Sequence, residues 1–227
     1  MDRPGPEKRR VRSFVRRAGR MTPAQERAWR ELWPRYGLDA ADASALAAAF
    51  SGSRRRVLEI GFGNGDSLLE QAAADPDADY FGIEVHEPGI GHCLLGIERD
   101  GMSNLRLLQG DALDILRHLP AESIDRLDLY FPDPWPKKRH HKRRIVAGPF
   151  LDLAARVLGR GATLHIATDW DDYAEHIDAV MAADGRFELL ERREHAGDRP
   201  LARPGTKFER RGLRLGHRIR DWVYRRR

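Results

Sequence analysis

Residues 57–74, VLEIGFGNGDSLLEQAAA, decide the fold of this chain. The first four residues predict a short buried strand, and the glycine-rich residues 61–65 predict a tight turn. A helix is expected from Asp66 to Ala74. A strand that passes through such a turn into a helix is typical of proteins in which strands and helices alternate.

The same alternation continues downstream. Further strands are predicted at 80–84, 105–109, 127–131, 163–167 and 187–191, and the helices that follow the first four of them at 89–100, 112–118, 149–158 and 171–183. This repetition predicts a mostly parallel sheet with helices on both faces. Upstream, a helix is expected from Thr22 to Leu38, with Thr22 as its N-cap, and a second helix from Ala40 to Phe50.

Length and composition limit the classes of protein that fit. The 227 residues suit one domain at 21–227, preceded by a flexible basic arm at 1–20. No apolar run approaches the roughly 18 residues of a membrane span, and the N-terminus lacks an apolar signal segment. The single cysteine, Cys93, excludes an intrachain disulfide and fits a reducing compartment, so we expect a cytoplasmic protein. A net charge of +5 favours an anionic partner.

Five strands in a row end in or beside a carboxylate. These acids are Glu59, Glu84, Asp111, Asp133 and Asp169. Ligands of open parallel sheets bind beyond the carboxyl ends of the strands, where all five are expected to lie. Each acid also has a simpler explanation as a loop residue or helix cap, and Asp111 in particular is placed to cap the next helix.

The glycine-rich turn discriminates between ligands. A dinucleotide fingerprint requires a small residue at position 66, where Asp66 stands, and its charge would repel a pyrophosphate at the helix N-terminus. S-adenosylmethionine carries no phosphate and fits better. Glu84 would accept hydrogen bonds from its ribose, Asp111 would face its adenine, and Glu59 would face its cationic amino-acid tail.

Residues 127–144, LDLYFPDPWPKKRHHKRR, carry a strand into a loop of unusual chemistry. Asp133 lies between two prolines, which restrict its backbone to a narrow range of angles. Residues 137–144 are all Lys, Arg or His, which indicates contact with a polyanion; the alternative is a solvated charge run. Trp135 or Trp170 is expected to stack on an extruded base, with a core role equally open for Trp170.

Lysine is rare in this chain. Of the 40 basic residues only five are lysines, namely Lys8, Lys137, Lys138, Lys142 and Lys207. Three of them lie in the basic loop and a fourth in TKFE (206–209). Where arginine is the default, a lysine marks a site that needs a compact point charge, unless the clustering is chance.

Seven motifs together carry a resemblance to a known family. They are RSFVRRAGRMT (12–22), LEIGFGNGDSL (58–68), FGIEVHEPGIG (81–91), GDA (110–112), YFPDPWPKKRHHKRRIV (130–146), ATDW (167–170) and TKFERRG (206–212). With them the chain resembles the bacterial tRNA (guanine-N7)-methyltransferase family over nearly its whole length. FPDPWPKKRHHKRR and TKFE are specific to that family, whereas class I methyltransferases in general share the glycine-rich turn.

The resemblance implies a Rossmann-like class I methyltransferase fold of seven strands, the last antiparallel and formed by 217–225. The implied reaction moves a methyl group from S-adenosylmethionine to N7 of guanine 46 in the tRNA variable loop. The implied cofactor residues are Glu59, Gly61, Gly63, Glu84, Asp111 and Asp133, with Asp133 also catalytic. The implied substrate residues are Lys137, Asp169, Thr206, Lys207, Phe208 and Glu209, and the RNA-binding residues are Arg139, His140, His141, Lys142, Arg143 and Arg144.

Three alternatives stay open at this point. The first is a class I methyltransferase that acts on another nitrogen, and the second is a catalytically silent RNA-binding protein that keeps the fold. The third, a dehydrogenase, is the least favoured because of Asp66. No metal is expected, since His140 and His141 are adjacent and lack ligand spacing. TKFE also fits a capping box that opens a helix ending at Gly216. The sequence leaves the choice between monomer and homodimer open.

Overall fold

A computed structural model describes residues 12–14, 19–196 and 203–227 of the chain. Its helices are α1 (Pro23–Tyr36), α2 (Ala43–Ala49), α3 (Asp66–Ala74), α4 (Glu87–Asp100), α5 (Ala112–His118), α6 (Gly148–Val157), α7 (Asp171–Ala182) and α8 (Lys207–Arg214). Its strands are β1 (Gly37–Leu38), β2 (Arg55–Ile60), β3 (Ala78–Glu84), β4 (Leu105–Gln109), β5 (Ile124–Tyr130), β6 (Leu158–Thr168), β7 (Phe187–His195) and β8 (Ile219–Arg226).

The strands form one sheet in the order β1-β4-β3-β2-β5-β6-β8-β7. The pairs from β1 to β6 are parallel, and β8 is antiparallel to both β6 and β7. The order reverses between β2 and β5, because the chain winds outward from β2 in one direction and from β5 in the other. Ligands bind at such a switch point in open parallel sheets.

Alternation along the strands divides the apolar side chains between two cores. On β2, Val57 packs into the core under α1, α3 and α4, whereas Leu58 packs into the larger core under α5, α6 and α7. Both side chains are fully buried. Successive side chains of a strand point to opposite faces, so a sheet covered by helices on both faces buries its central strands completely.

The predicted α/β fold with a mostly parallel sheet is confirmed, including the antiparallel strand at the C-terminal end. The described residues form eight strands instead of the expected seven. The helix expected to reach Leu38 ends at Tyr36, because Gly37 and Leu38 pair with β4 at the edge of the sheet. The antiparallel β7–β8 pair also extends β7 to His195, four residues beyond the predicted end.

Most of the predicted basic arm lies outside the described residues, apart from 12–14, 19 and 20. Within the described part of the chain, the helices are all too short or too polar to cross a membrane. The same residues contain no group of three or more His, Cys, Asp or Glu side chains arranged to hold a metal ion.

Candidate active site

A cavity of about 350 Å³ opens at the carboxyl edge of β2, β3 and β5. Its volume lies in the range of small-molecule sites. The predicted site residues that line it are Glu59, Gly61, Gly63, Glu84, Asp133, Thr206, Lys207 and Phe208. The fold therefore brings together residues that are separated by up to about 150 positions in the sequence.

The glycine-rich turn forms the floor of the cavity. Gly61, Gly63 and Gly65 all have positive φ angles, of 77°, 60° and 85°. Only glycine adopts this conformation without strain. A side chain at Gly65 would also collide with Cys93 of α4, because an added Cβ would lie 2.6 Å from its Sγ. The turn therefore requires glycine for both its conformation and its packing.

Glu84 fixes the position of this turn. Its Oε2 accepts a hydrogen bond from the backbone N–H of Gly63 at 2.8 Å. Its Oε1 accepts from the N–H groups of Val85 and His86, at 2.6 and 3.0 Å. A carboxylate has about four acceptor positions, so Glu84 retains capacity for a ligand hydroxyl. The buried carboxylate thus links the end of β3 to the turn after β2.

Asp111 lies beside the cavity but does not line it. Its side chain caps α5 by accepting from the N–H of Leu113 at 3.0 Å. Its neighbours Gly110 and Ala112 line the cavity. The capping interpretation that the sequence left open for Asp111 is therefore correct, and the backbone around it faces the site.

Glu59 is a buried acid at the back of the cavity, with 3% of its surface exposed. The nearest hydrogen-bond donor among the described residues is the Gln71 side chain of α3, at the long distance of 3.5 Å. Burial, followed by the neighbouring Asp128, raises the pKa of Glu59 to about 8. A carboxyl group with such a pKa can hold a proton at neutral pH.

The loop after β5 carries Asp133 between two strained positions. Phe131 and Trp135 have φ angles of 51° and 48°, which is unusual for residues other than glycine. Such positions cost on the order of 1–3 kcal/mol each and cluster at functional sites. Asp133 itself is exposed and lines the cavity. Backbone strain therefore adds to the two prolines in shaping this loop.

Trp135 is held both at its indole nitrogen and on its ring face. Its Nε1 donates to the carbonyl of Ser13 at 3.0 Å, and the guanidinium of Arg143 lies 3.8 Å from the ring centroid. Arg143 also donates to the carbonyls of Arg12 and Phe14. The loop thus binds residues 12–14, two of which line the cavity.

Trp170 packs against the larger core, which is one of the two roles that the sequence left open for it.

The basic segment forms a 3₁₀ helix at Lys138–Arg143, which the sequence did not predict. Lys138, Arg139 and Lys142 are exposed, as is Lys137 before them. Arg144 does not fit the predicted RNA contact, because its side chain is only 2% exposed. Its guanidinium instead bonds to Asp172 and to the carbonyl of Pro134, tying the loop to α7.

The TKFE segment begins α8 with a reciprocal capping box. The N–H of Glu209 donates to Thr206 Oγ1 at 3.0 Å, and the N–H of Thr206 donates to Glu209 Oε2 at 3.3 Å. Glu209 is buried and points away from the cavity lining, which is formed here by Thr206, Lys207 and Phe208. Asp169 lies against α8 at Gly212, where an added Cβ would be 2.6 Å from Asp169 Oδ2. The structure therefore brings Asp169 to the same helix.

Arg203, which the sequence analysis did not identify, anchors this helix. Its Nη1 donates to Glu209 Oε2 at 2.7 Å, and its Nε and Nη2 donate to the two oxygens of Asp221 at 2.8 and 3.1 Å. Although burial opposes it, the hydrogen bonds from His165 and Arg203 lower the pKa of Asp221 to about 2. The available sequence signal was Asp221, the one acid of strand β8, whose other charged residues are arginines.

Comparisons with known proteins agree with this geometry. Two solved structures share the fold. One is described as an antibiotic-related methyltransferase (TM-score 0.60, 17% identity, 82% of this chain and 94% of that one). The other is a 16S rRNA (adenine(1408)-N(1))-methyltransferase from Catenulisporales acidiphilia with its cosubstrate SAM (TM-score 0.56, 16% identity, 82% and 91%). The sheet order and the cavity at its switch point thus define a protein of the class I methyltransferase fold.

The sequence comparisons are more specific. A family model described as "Putative methyltransferase" matches residues 53–222. A tRNA (guanine-N(7)-)-methyltransferase of Halorhodospira halophila is 51% identical over 96% of this chain and 95% of its own length. One of Pseudomonas aeruginosa is also 51% identical, over 96% and 90%. The chain belongs to the tRNA (guanine-N(7)-)-methyltransferase family.

We predict that Arg203→Met destabilises the fold by about 3–5 kcal/mol, because it leaves two buried carboxylates without their shared cation. Urea unfolding at pH 7 measures the change. Arg218→Met is the matched control, since Arg218 pairs with Glu194 at the surface and its removal should cost about 1 kcal/mol or less. Equal destabilisation in the two variants would contradict the anchoring role.

Proposed function

We propose that this protein transfers the methyl group of S-adenosylmethionine to N7 of guanine 46 in the variable loop of tRNA. The observation that carries the proposal is the meeting of two surfaces at Asp133. On one side of this residue lies the cavity with its glycine-rich turn, and on the other lies the basic segment at 137–142, whose Lys and Arg side chains are exposed. A tRNA substrate also suits a cytoplasmic enzyme.

The cavity suits S-adenosylmethionine through its charges and its backbone. Asp66 opens α3 at the cavity wall and disfavours a pyrophosphate there. Glu84 accepts from three backbone N–H groups and can still accept hydrogen bonds from the ribose hydroxyls. Glu59 would face the cationic tail, and the turn at Gly61 and Gly63 would follow the amino-acid part of the molecule. When bound, this cofactor supplies an electrophilic methyl group on a sulfonium.

The reaction places few chemical demands on the side chains. Guanine N7 carries a free lone pair, so no proton has to be removed from the nucleophile before it attacks. The contribution of the protein is then positioning and electrostatics. Asp133 would orient the cofactor and the base edge instead of acting as a general base.

The remaining predicted residues would hold the RNA. Lys137 and Asp169 would contact the substrate near the reacting base, together with 206–209, where Glu209 acts by fixing the helix start. The exposed cations Lys138, Arg139 and Lys142 would neutralise phosphates and offset the repulsion between RNA and the acids of the cavity.

The first test is nucleoside mass spectrometry of unmodified tRNA incubated with the protein and S-adenosylmethionine. We expect 7-methylguanosine to appear, and to be absent for a transcript that has adenine at position 46. A different methylated nucleoside would contradict the choice of atom, and no methylated nucleoside would contradict the proposed activity.

We predict that Asp133→Asn lowers the rate at saturating RNA and cofactor by roughly 10²-fold, about 2.7 kcal/mol of barrier. Asp77→Asn, an exposed aspartate at the opposite edge of the sheet, should have no effect. The wild-type single-turnover rate should show no ionisation of a base between pH 6 and 8. A rate that rises with unit slope there, and loses this slope in Asp133→Asn, would establish a general base.

We also predict that tRNA affinity depends on the basic segment through salt. Alanine at Lys138, Arg139 and Lys142 together should reduce the slope of log K against log salt by about 0.7–0.9 for each phosphate that is no longer neutralised. Filter binding between 50 and 200 mM KCl, roughly the range in which this dependence is steep, measures the slope. Arg160→Ala, at the opposite end of β6, should leave it unchanged. An unchanged slope in the triple variant would place the RNA elsewhere.

A further inference from the structure

Two carboxylates lie side by side beneath the cavity. Glu59 of β2 and Asp128 of β5 are register partners in a parallel pair, so their side chains leave the same face of the sheet. Neighbouring strands are only about 4.8 Å apart. Asp128 is fully buried and Glu59 nearly so, and only Glu59 reaches the cavity. Asp128 was not among the predicted site residues.

Glu59 and Asp128 have fewer hydrogen-bond donors around them than two ionised carboxylates need. Arg126 binds one oxygen of Asp128 through Nε and Nη2, at 3.0 and 2.9 Å. The other oxygen, Oδ1, has no hydrogen-bond partner among the described residues. From the same part of the chain, Glu59 receives only the long contact with Gln71. Among the described residues, the guanidinium of Arg126 bonds to Asp128 and none bonds to Glu59, which leaves an uncompensated negative charge if both carboxylates are ionised.

The other groups around Glu59 do not remove this charge. The titratable and charged groups that act on it are Asp128, Arg126 and Tyr130 from β5, Glu84 from β3, Cys93 from α4, and Arg203 from the segment before α8. Burial raises the pKa of Tyr130 and of Cys93, so both stay neutral at pH 7. Arg203 is already bonded to two other carboxylates.

We propose that Glu59, held beside Asp128, carries a proton in the ligand-free protein and releases it to solvent when a cationic amino-acid tail binds next to it. The proposal rests on the proposed function, because S-adenosylmethionine supplies that tail. The ammonium takes the place of the missing second cation. Asp128 thereby becomes a determinant of cofactor affinity without touching the cofactor.

The direction of the pH dependence follows from the pKa of Glu59, which is raised to about 8 in the ligand-free protein. Below that value Glu59 is protonated, and binding has to expel the proton. Affinity should therefore rise with pH, by up to about tenfold per unit between about pH 6 and 7, and stop rising near about pH 8. The amino group of the ligand loses its own proton near about pH 8, so the measurement belongs at about pH 7 or below.

Calorimetry at pH 7.0 in phosphate and in Tris measures the proton release, because the two buffers differ in ionisation enthalpy. We expect most of one proton to be released for each S-adenosylmethionine bound by the wild-type protein, because the pKa of Glu59 lies above the pH of the measurement. S-adenosylhomocysteine has the same tail without the sulfonium and should release as much. 5′-Methylthioadenosine has the nucleoside without the tail and should release none.

The variants test the role of Asp128 directly. Asp128→Asn removes the second negative charge and leaves Arg126 without its carboxylate partner, so the pKa of Glu59 should fall and less proton should be released than from the wild-type protein; burial, the larger cause of the raised pKa, remains. Asp125→Asn is the matched control, an exposed aspartate on the same strand that should leave the release unchanged. Glu59→Gln should abolish the release.

The outcomes separate this inference from the proposed function. S-adenosylmethionine that binds the wild-type protein without releasing a proton overturns the inference and leaves the methyltransferase activity standing. Equal release with 5′-methylthioadenosine, or unchanged release in Asp128→Asn, also overturns it. Absence of any S-adenosylmethionine binding would contradict the proposed function itself. The wild-type comparison of ligands requires no variant to fold.

Discussion

The buried guanidinium of Arg203 connects parts of the chain that the sheet alone does not hold together. It bonds to Glu209 at the start of α8 and to Asp221 in β8, and it lies 5.3 and 5.6 Å from the ring centroids of Tyr130 and Phe131 at the end of β5. Two components of the candidate site, the TKFE segment and the strained loop before Asp133, thus meet at one cation. Since a buried cation with two acid partners tolerates little displacement, it fixes their relative position.

The acids at the carboxyl edge of the sheet share a residue type but differ in environment. Glu84 is held by three backbone N–H groups, Asp111 caps a helix, and Asp169 accepts from His217 at 3.0 Å. Glu59 is buried beside another acid, whereas Asp133 is exposed. Burial raises the pKa of a carboxyl group and a nearby cation lowers it, so position decides what each acid can do. Acids at the same edge of the sheet can therefore hold the backbone in place, accept a hydrogen bond from a ligand, or exchange a proton with solvent.

Local patterns were sufficient to predict most of the fold and much of the cavity. The strand, turn and helix at 57–74 and the capping box at Thr206 depend on neighbours within a few residues, and the structure has both. The burial of Arg144, the anchoring by Arg203 and the pairing of Asp128 with Glu59 each depend on a distant partner, at 28, 18 and 69 positions respectively. No periodicity in the sequence encodes such pairings, because tertiary contacts determine which charges are buried together.

The division between arginine and lysine around the cavity follows the same physical rule. Arg143, Arg144 and Arg203 each direct several N–H groups to carbonyls or carboxylates of the protein, which the planar guanidinium fork permits. The lysines of this region, at 137, 138, 142 and 207, are all exposed. The lysine ammonium, on its flexible side chain, suits a partner whose phosphates vary in position. A fixed internal hydrogen-bond network instead requires the planar guanidinium of arginine. The lysines here are thus among the cations that can bind a polyanion, together with the exposed Arg139, whereas the buried network at this edge of the sheet uses arginine alone.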